Sequence, residues 1–245
     1  MGPGVGRATA LALATEGSDV VLAARSADVL ASVAAEVEAL GVRALAVPTD
    51  VGEVDQCRRL VAAAAGGMGR IDVVVNSAAA GGGGRIVDTE PEDWHTGFQV
   101  NVVGPVEISK AAVPHLRERG GAIVMVSTLA VRAINPRQGV YAVSKAALTV
   151  AAQTMARELG RDGIRVNVVV PGFVDGPGLT RTLEASAERR GITVGDAVGE
   201  ITREVPLGRL PTSADIADAV VFLASDRARS ITGQTLDVNG GRWFA

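Results

Sequence analysis

The chain carries short, continuous apolar runs without polar alternation: "VVLAA" at 20–24, "ALAV" at 44–47, "VVV" at 73–75, "AIVMV" at 122–126 and "VVV" at 168–170. A strand of that kind must be buried on both faces. Segments with helical spacing lie between the runs. At 26–41, Leu30, Val33, Val37 and Leu40 fall on one face, Ser26 can cap the start and Gly41 stops the helix. Val54, Leu60, Val61 and Ala64 do the same at 53–65. Strands alternating with helices, each strand covered on both sides, require a parallel sheet between two helical layers. The pattern predicts strands over 18–25, 42–50, 70–78, 121–127, 164–172 and 234–241. It predicts helices over 101–116, 141–160 and 213–226.

This is an α/β chain of the doubly wound, Rossmann-like class. Its 245 residues, 47% hydrophobic, suffice for one large core, and no linker or repeat divides them. The single domain runs over 1–245, with a polar, charged cover over a substrate pocket at about 175–205. The net charge of −3 and 3% aromatic content give no basis for binding nucleic acid or an anionic membrane. One cysteine, Cys57, allows no internal disulfide and suits a reducing cytoplasm. Two histidines, His95 and His115, with that cysteine offer no plausible metal site. No apolar run is long enough to span a bilayer. The Ala/Leu-rich run after Arg7 reads as a helix behind a glycine turn rather than as a leader. "GGGG" at 81–84 reads as a loop, and Trp94 and Phe98 as core residues. Trp243 and Phe244 read as a subunit contact or a pocket edge.

Two motifs carry chemistry. "GPGVG" at 2–6 runs straight into a helix. Glycines there let the backbone bend tightly against a pyrophosphate, and the helix N-terminus supplies N–H donors. "YAVSK" at 141–145 puts Tyr141 and Lys145 four apart on one helical face. A tyrosine ionises near 10, and a neighbouring cation lowers that value toward useful acid/base chemistry.

Together these motifs resemble the classical short-chain dehydrogenase/reductase family along essentially the whole chain. Gly4, Val5 and Gly6 match the end of its glycine turn. "TDV" at 49–51 matches the strand end whose Asp contacts adenine, here Asp50 beside Val51. "NSAA" at 76–79 stands where the family has Asn-Asn-Ala-Gly, placing Asn76 and Ala78 on the cofactor. "PGFV" at 171–174 matches the nicotinamide-facing loop, with Pro171, Gly172 and Val174 as contacts. "ITGQTLDVNGG" matches the closing strand.

The resemblance implies an oxidoreductase that interconverts an alcohol and a carbonyl using NAD(P)(H). Tyr141 becomes the acid/base on the substrate oxygen, and Lys145 the ligand of the nicotinamide ribose and the group that lowers the tyrosine pKa. Asn101 holds a water in the proton relay. Thr128, thirteen residues before Tyr141, replaces the family's serine, while Ser127 should face the other way. "NSAA" lacks the family's second Asn and its Gly, and "VDGPG" at 174–178 lacks the threonine that often contacts the diphosphate. Thr180 lies too far along to replace it. Arg25, where NAD binders place an acidic residue, favours NADP(H) over NAD(H), although Pro3 stands where many NADP-preferring relatives carry a basic residue. The resemblance also implies a cytoplasmic homotetramer or homodimer acting on a small-molecule alcohol or carbonyl.

In the family the glycine turn follows a first strand, and here nothing precedes it. The expectation is an empty slot at the centre of the sheet, a loss of roughly 10 kcal/mol of apolar burial, and a natural start upstream of Met1. Two rival readings stay open: a non-catalytic dinucleotide sensor or scaffold on the same fold, and an inactive, N-terminally shortened form.

Overall fold

The computed structural model describes residues 4–81, 84–134, 136 and 138–244. Pro3 and two glycines of the 81–84 run therefore lie outside the described residues. The chain alternates in order: α1 (Val5–Thr15), β1 (Val20–Ala24), α2 (Ala27–Glu38), β2 (Ala44–Pro48), α3 (Val54–Met68), β3 (Val73–Asn76) and α4 (Pro91–Phe98). Then come α5 (Gly104–Leu116), β4 (Gly121–Val126), α6 (Gly139–Leu159), β5 (Ile164–Pro171), α7 (Pro177–Arg190), α8 (Val194–Arg203), α9 (Ser213–Ala224) and β6 (Thr235–Val238).

Every strand pairing is parallel, as the unbroken apolar runs require. The four-stranded sheet runs β3-β4-β5-β6, and a separate pair joins β1 to β2. No ladder links β1 to β3, and no strand among the described residues lies between them. The described strands thus form two separate sheets, with the break falling between β1 and β3.

Ile123, Met125, Val166 and Val168 face Leu60, Leu116 and Leu148 of α3, α5 and α6. Val124, Val126 and Val169 face Ile216, Val220 and Leu223 of α9, with Val5 of α1 alongside. α1 also enters a second cluster, in which Ala10 and Ala14 pack with Leu22 of β1 and Leu30, Val33 and Val37 of α2. One helix therefore spans both pieces of the sheet.

Local chemistry explains most boundaries. Ser26 caps α2 by accepting from the Val29 N–H at 3.4 Å, and Gly41 adopts a left-handed φ of 86° beyond its end. Leu40 departs from its expected place on the buried face and is 47% exposed, because α2 has already ended. The helix expected from 101 begins as α5 only at Gly104, behind a π-turn over Gln99–Val103. α4 lacks a strong apolar stripe, and its Trp94 and Phe98 are half-buried rather than core. Among the described residues no helix is long and apolar enough to cross a membrane.

Candidate active site

The C-terminal ends of β3, β4 and β5 open onto a cavity of about 220 Å³. Its wall comes from α1 (Val5), the β3 exit (Ser77, Ala79), the β4 exit (Val126, Ser127, Thr128), α6 (Tyr141, Lys145) and the β5 exit (Pro171, Gly172, Val174). Seven of the residues singled out from the sequence meet there: Val5, Thr128, Tyr141, Lys145, Pro171, Gly172 and Val174.

Strand alternation sorts the two hydroxyls at the β4 exit. The Ser127 Oγ turns to α6, 3.3 Å from the Lys145 carbonyl and 3.2 Å from the Thr149 Oγ1. The Thr128 Oγ1 instead accepts from the Ala130 N–H at 3.3 Å, on the cavity side with Tyr141. Burial pushes the Tyr141 hydroxyl above its ordinary range, and the Thr128 hydroxyl offsets this only in part. Lys145, expected to lower it, is not among the groups that do so in this structure. The Lys145 Nζ is drawn to backbone oxygens, 2.8 Å from that of Val126 and 3.3 Å from that of Ala78. Lys145 is 1% exposed, and burial lowers its pKa to about 8. A lysine this dehydrated, with no carboxylate partner among the described residues, is placed to receive an anion or a set of hydroxyls.

Asn101 stands behind this wall. It is fully buried on the π-turn, and its side chain clamps one residue of the β3 exit loop. Its Oδ1 accepts from the Ala80 N–H at 2.8 Å, and its Nδ2 donates to the Ala80 carbonyl at 2.6 Å. Nδ2 also donates to the Ser144 Oγ at 2.9 Å. Ser144, beside Lys145, and Ala80 were not singled out from the sequence. Nothing in residue type or spacing marks them, because they act by meeting Asn101 in space. Asn76 is turned into the core, donating to the Ser109 Oγ at 3.0 Å and to the Met125 sulfur at 3.3 Å.

The remaining cofactor candidates lie outside the cavity wall. Gly4 is the N-cap of α1 and provides no side-chain cap, so with Gly6 it leaves first-turn N–H groups without side-chain acceptors. Arg25 is exposed at the end of β1. Asp50 lies at the neighbouring strand end, tied in by a 2.8 Å bond from the Thr49 N–H to the Ala24 carbonyl. The Asp50 carboxylate accepts from the Gly52 N–H at 2.9 Å, and Val51 packs against the main core. Thr180 sits in α7, bonded back to Gly176 and exposed.

Comparison with known proteins agrees with this geometry. The family model described as enoyl-(acyl carrier protein) reductase matches residues 2–242. This chain belongs to the classical short-chain dehydrogenase/reductase family. It is 38% identical over 239 residues to an uncharacterized oxidoreductase of Methylorubrum extorquens, covering 97% of this chain and 93% of the relative. It is 34% identical over 243 residues to a 3-oxoacyl-acyl-carrier-protein reductase of Staphylococcus epidermidis, covering 98% and 95%. Among solved structures, the L-sorbose reductase of Gluconobacter frateurii, in complex with NADPH and L-sorbose, superposes with a TM-score of 0.93 at 31% identity, covering 98% of this chain and 92% of that one. An NAD+-bound xylitol dehydrogenase gives 0.90 at 27% identity, covering 97% and 94%.

Proposed function

We propose that this short-chain dehydrogenase/reductase interconverts an alcohol and a ketone or aldehyde with NAD(P)(H), using Tyr141 as the acid/base. The observation that carries this reading is the cavity that brings Tyr141 and Thr128 together beside a buried Lys145 with no carboxylate partner among the described residues. The residues present fit a dinucleotide. The uncapped first turn of α1 offers N–H donors to a pyrophosphate, and Lys145 offers a dehydrated cation to ribose hydroxyls. When bound, the nicotinamide supplies or accepts the hydride.

The chain's own residues handle the proton. Thr128 donates to the substrate oxygen and orients it toward Tyr141. In the reducing direction Tyr141 gives that oxygen its proton, and in the oxidising direction it removes the alcohol proton. A charged Lys145 next to the ribose lowers the cost of the tyrosinate. Asn101, by clamping Ala80, keeps the β3 exit in register with α6.

Arg25 favours NADP(H). It is exposed at the end of β1 and joins none of the ion pairs among the described residues, which suits a 2′-phosphate partner. The sorbose reductase complex holds NADPH and the xylitol dehydrogenase NAD+, so close structural relatives use either form. The substrate is a small alcohol or carbonyl, and the working form is a cytoplasmic homotetramer or homodimer.

The test is a fluorescence titration with NADPH and NADH, followed by absorbance assays against a panel of ketones, aldehydes and alcohols. The reading expects tighter binding of NADPH and carbonyl-dependent loss of the reduced cofactor. Tight binding with no turnover on any carbonyl would favour the sensor reading. No binding would contradict both.

A further inference from the structure

α7 and α8 follow the β5 exit, whose Pro171, Gly172 and Val174 line the cavity, and they pack on each other. Leu179, Val205 and Leu210 form their small core, joined by Phe173 of the β5 exit loop. A turn after β6 presses on the end of this pair. Gly240 and Gly241 have left-handed φ of 68° and 89°, and a Cβ on Gly240 would come within 2.4 Å of the Val205 side chain. Buried Asn239 fixes the turn, accepting from the Gly241 N–H at 2.8 Å and donating to the Trp243 carbonyl at 3.0 Å. The Gly172 N–H donates to the Val238 carbonyl at 3.0 Å, so the same segment touches the cofactor-loop side as well.

Arg242 follows directly. Its guanidinium lies 4.6 Å from the centroid of the Phe173 ring. Its Nη2 donates to the Glu204 carboxylate at the end of α8, at 2.5 Å. Its Nη1 is buried without a hydrogen-bond partner among the described residues. A group placed for hydrogen bonding alone would not leave that donor unsatisfied. The planar guanidinium is held over the ring and to the carboxylate at once, which an ammonium cannot reproduce.

We propose that Arg242 is a positioning residue that couples the α7–α8 cover to the 171–174 loop. Through Phe173 it fixes the loop beside the reacting centre, and through Glu204 it fixes the C-terminal end of α8. The position of the cover over substrate is then set by the C-terminal turn. The catalytic consequence rests on the function proposed above; the mechanical one does not.

Hydrogen exchange on the full chain tests it. Arg242→Met keeps the apolar stem and removes both contacts, and should speed α7–α8 amide exchange about tenfold while β4 and α6 stay unchanged. Glu204→Gln removes only the ion pair and should give a smaller acceleration in the same helices. Arg242→Lys should not restore the wild-type rate. In turnover, Arg242→Met should raise the substrate KM about tenfold with kcat within about threefold. Unchanged α7–α8 exchange in both Arg242→Met and Glu204→Gln overturns the proposal, as does acceleration spread evenly over β4 and α6. If the wild type binds no nicotinamide, the functional reading fails, while the exchange comparison still decides the role of Arg242.

Discussion

The wall of the cavity and the α7–α8 segment proposed as its cover are built by opposite means. The wall rises from β4, β5 and α6, where Ile123, Val124, Val169, Val170 and Leu148 are all 0% exposed. The cover rests on a small satellite cluster, and outside it relies on exposed contacts such as the Arg190–Glu200 ion pair at 2.7 Å. Exposed pairs of that kind contribute little. Under the proposed function, the groups that need sub-ångström placement sit on the stiffest part of the chain, and α7–α8 is the part most easily changed.

The largest expected contrast is in stability. Leu148→Ala should cost about 2–5 kcal/mol, whereas Leu183→Ala, half-buried in the cover cluster, should cost about 1 kcal/mol and chiefly alter substrate KM. Denaturant unfolding of the two variants measures this. Equal losses would make the cover part of the main core.

Lys145 sharpens the contrast within the wall. Its folded pKa of about 8 lies below the ordinary 10.5, so between those values the unfolded chain binds more protons and stability rises with pH. Relative to Lys145→Met, the cofactor-free wild type should gain about 2 kcal/mol from about pH 7 to about pH 9.5. A flat difference would show that Lys145 is not dehydrated. Cofactor binding, by supplying ribose hydroxyls, should raise the lysine pKa and take up protons near pH 8, which calorimetry in buffers of different ionisation heat would detect.

Away from the cavity wall, Arg25→Asp should move the kcat/KM ratio for NADPH over NADH about tenfold toward NADH. An unchanged ratio would show that Arg25 does not read the 2′ position. The smallest effect belongs to Ser144→Ala, which removes one of three hydrogen bonds on Asn101. It should cost about 1 kcal/mol of stability and less than tenfold in kcat. A loss as large as that of a Tyr141 variant would place Ser144 in the chemistry itself.

What was legible in the sequence follows the same division. The apolar runs marked β1 to β5, although only β4 and β5 are buried along nearly their whole length and β2 has no buried residue. Tyr141 and Lys145 could be singled out because one helix fixes their spacing, and Thr128 because the family resemblance places a hydroxyl at that strand exit. The pKa of Tyr141 was not legible, since burial and the direction taken by the Lys145 ammonium are tertiary facts. Nor were the roles of Ser144 and Arg242, whose partners lie 43 and 38 residues away along the chain. α7 and α8 could be read only as a polar cover, because their packing cluster draws on Phe173 and Leu210 outside it.

The central claim is that Tyr141 moves the proton while the rest of the wall binds. It is tested most directly by comparing wild type and Tyr141→Phe in the same carbonyl-dependent assay of reduced-nicotinamide consumption, with cofactor affinity measured in parallel. The variant loses only the hydroxyl, so its rate should fall at least 100-fold, roughly the smallest contribution of a positioned acid/base, with cofactor Kd within about threefold. A purified variant that keeps more than about a tenth of the wild-type rate would contradict the assignment.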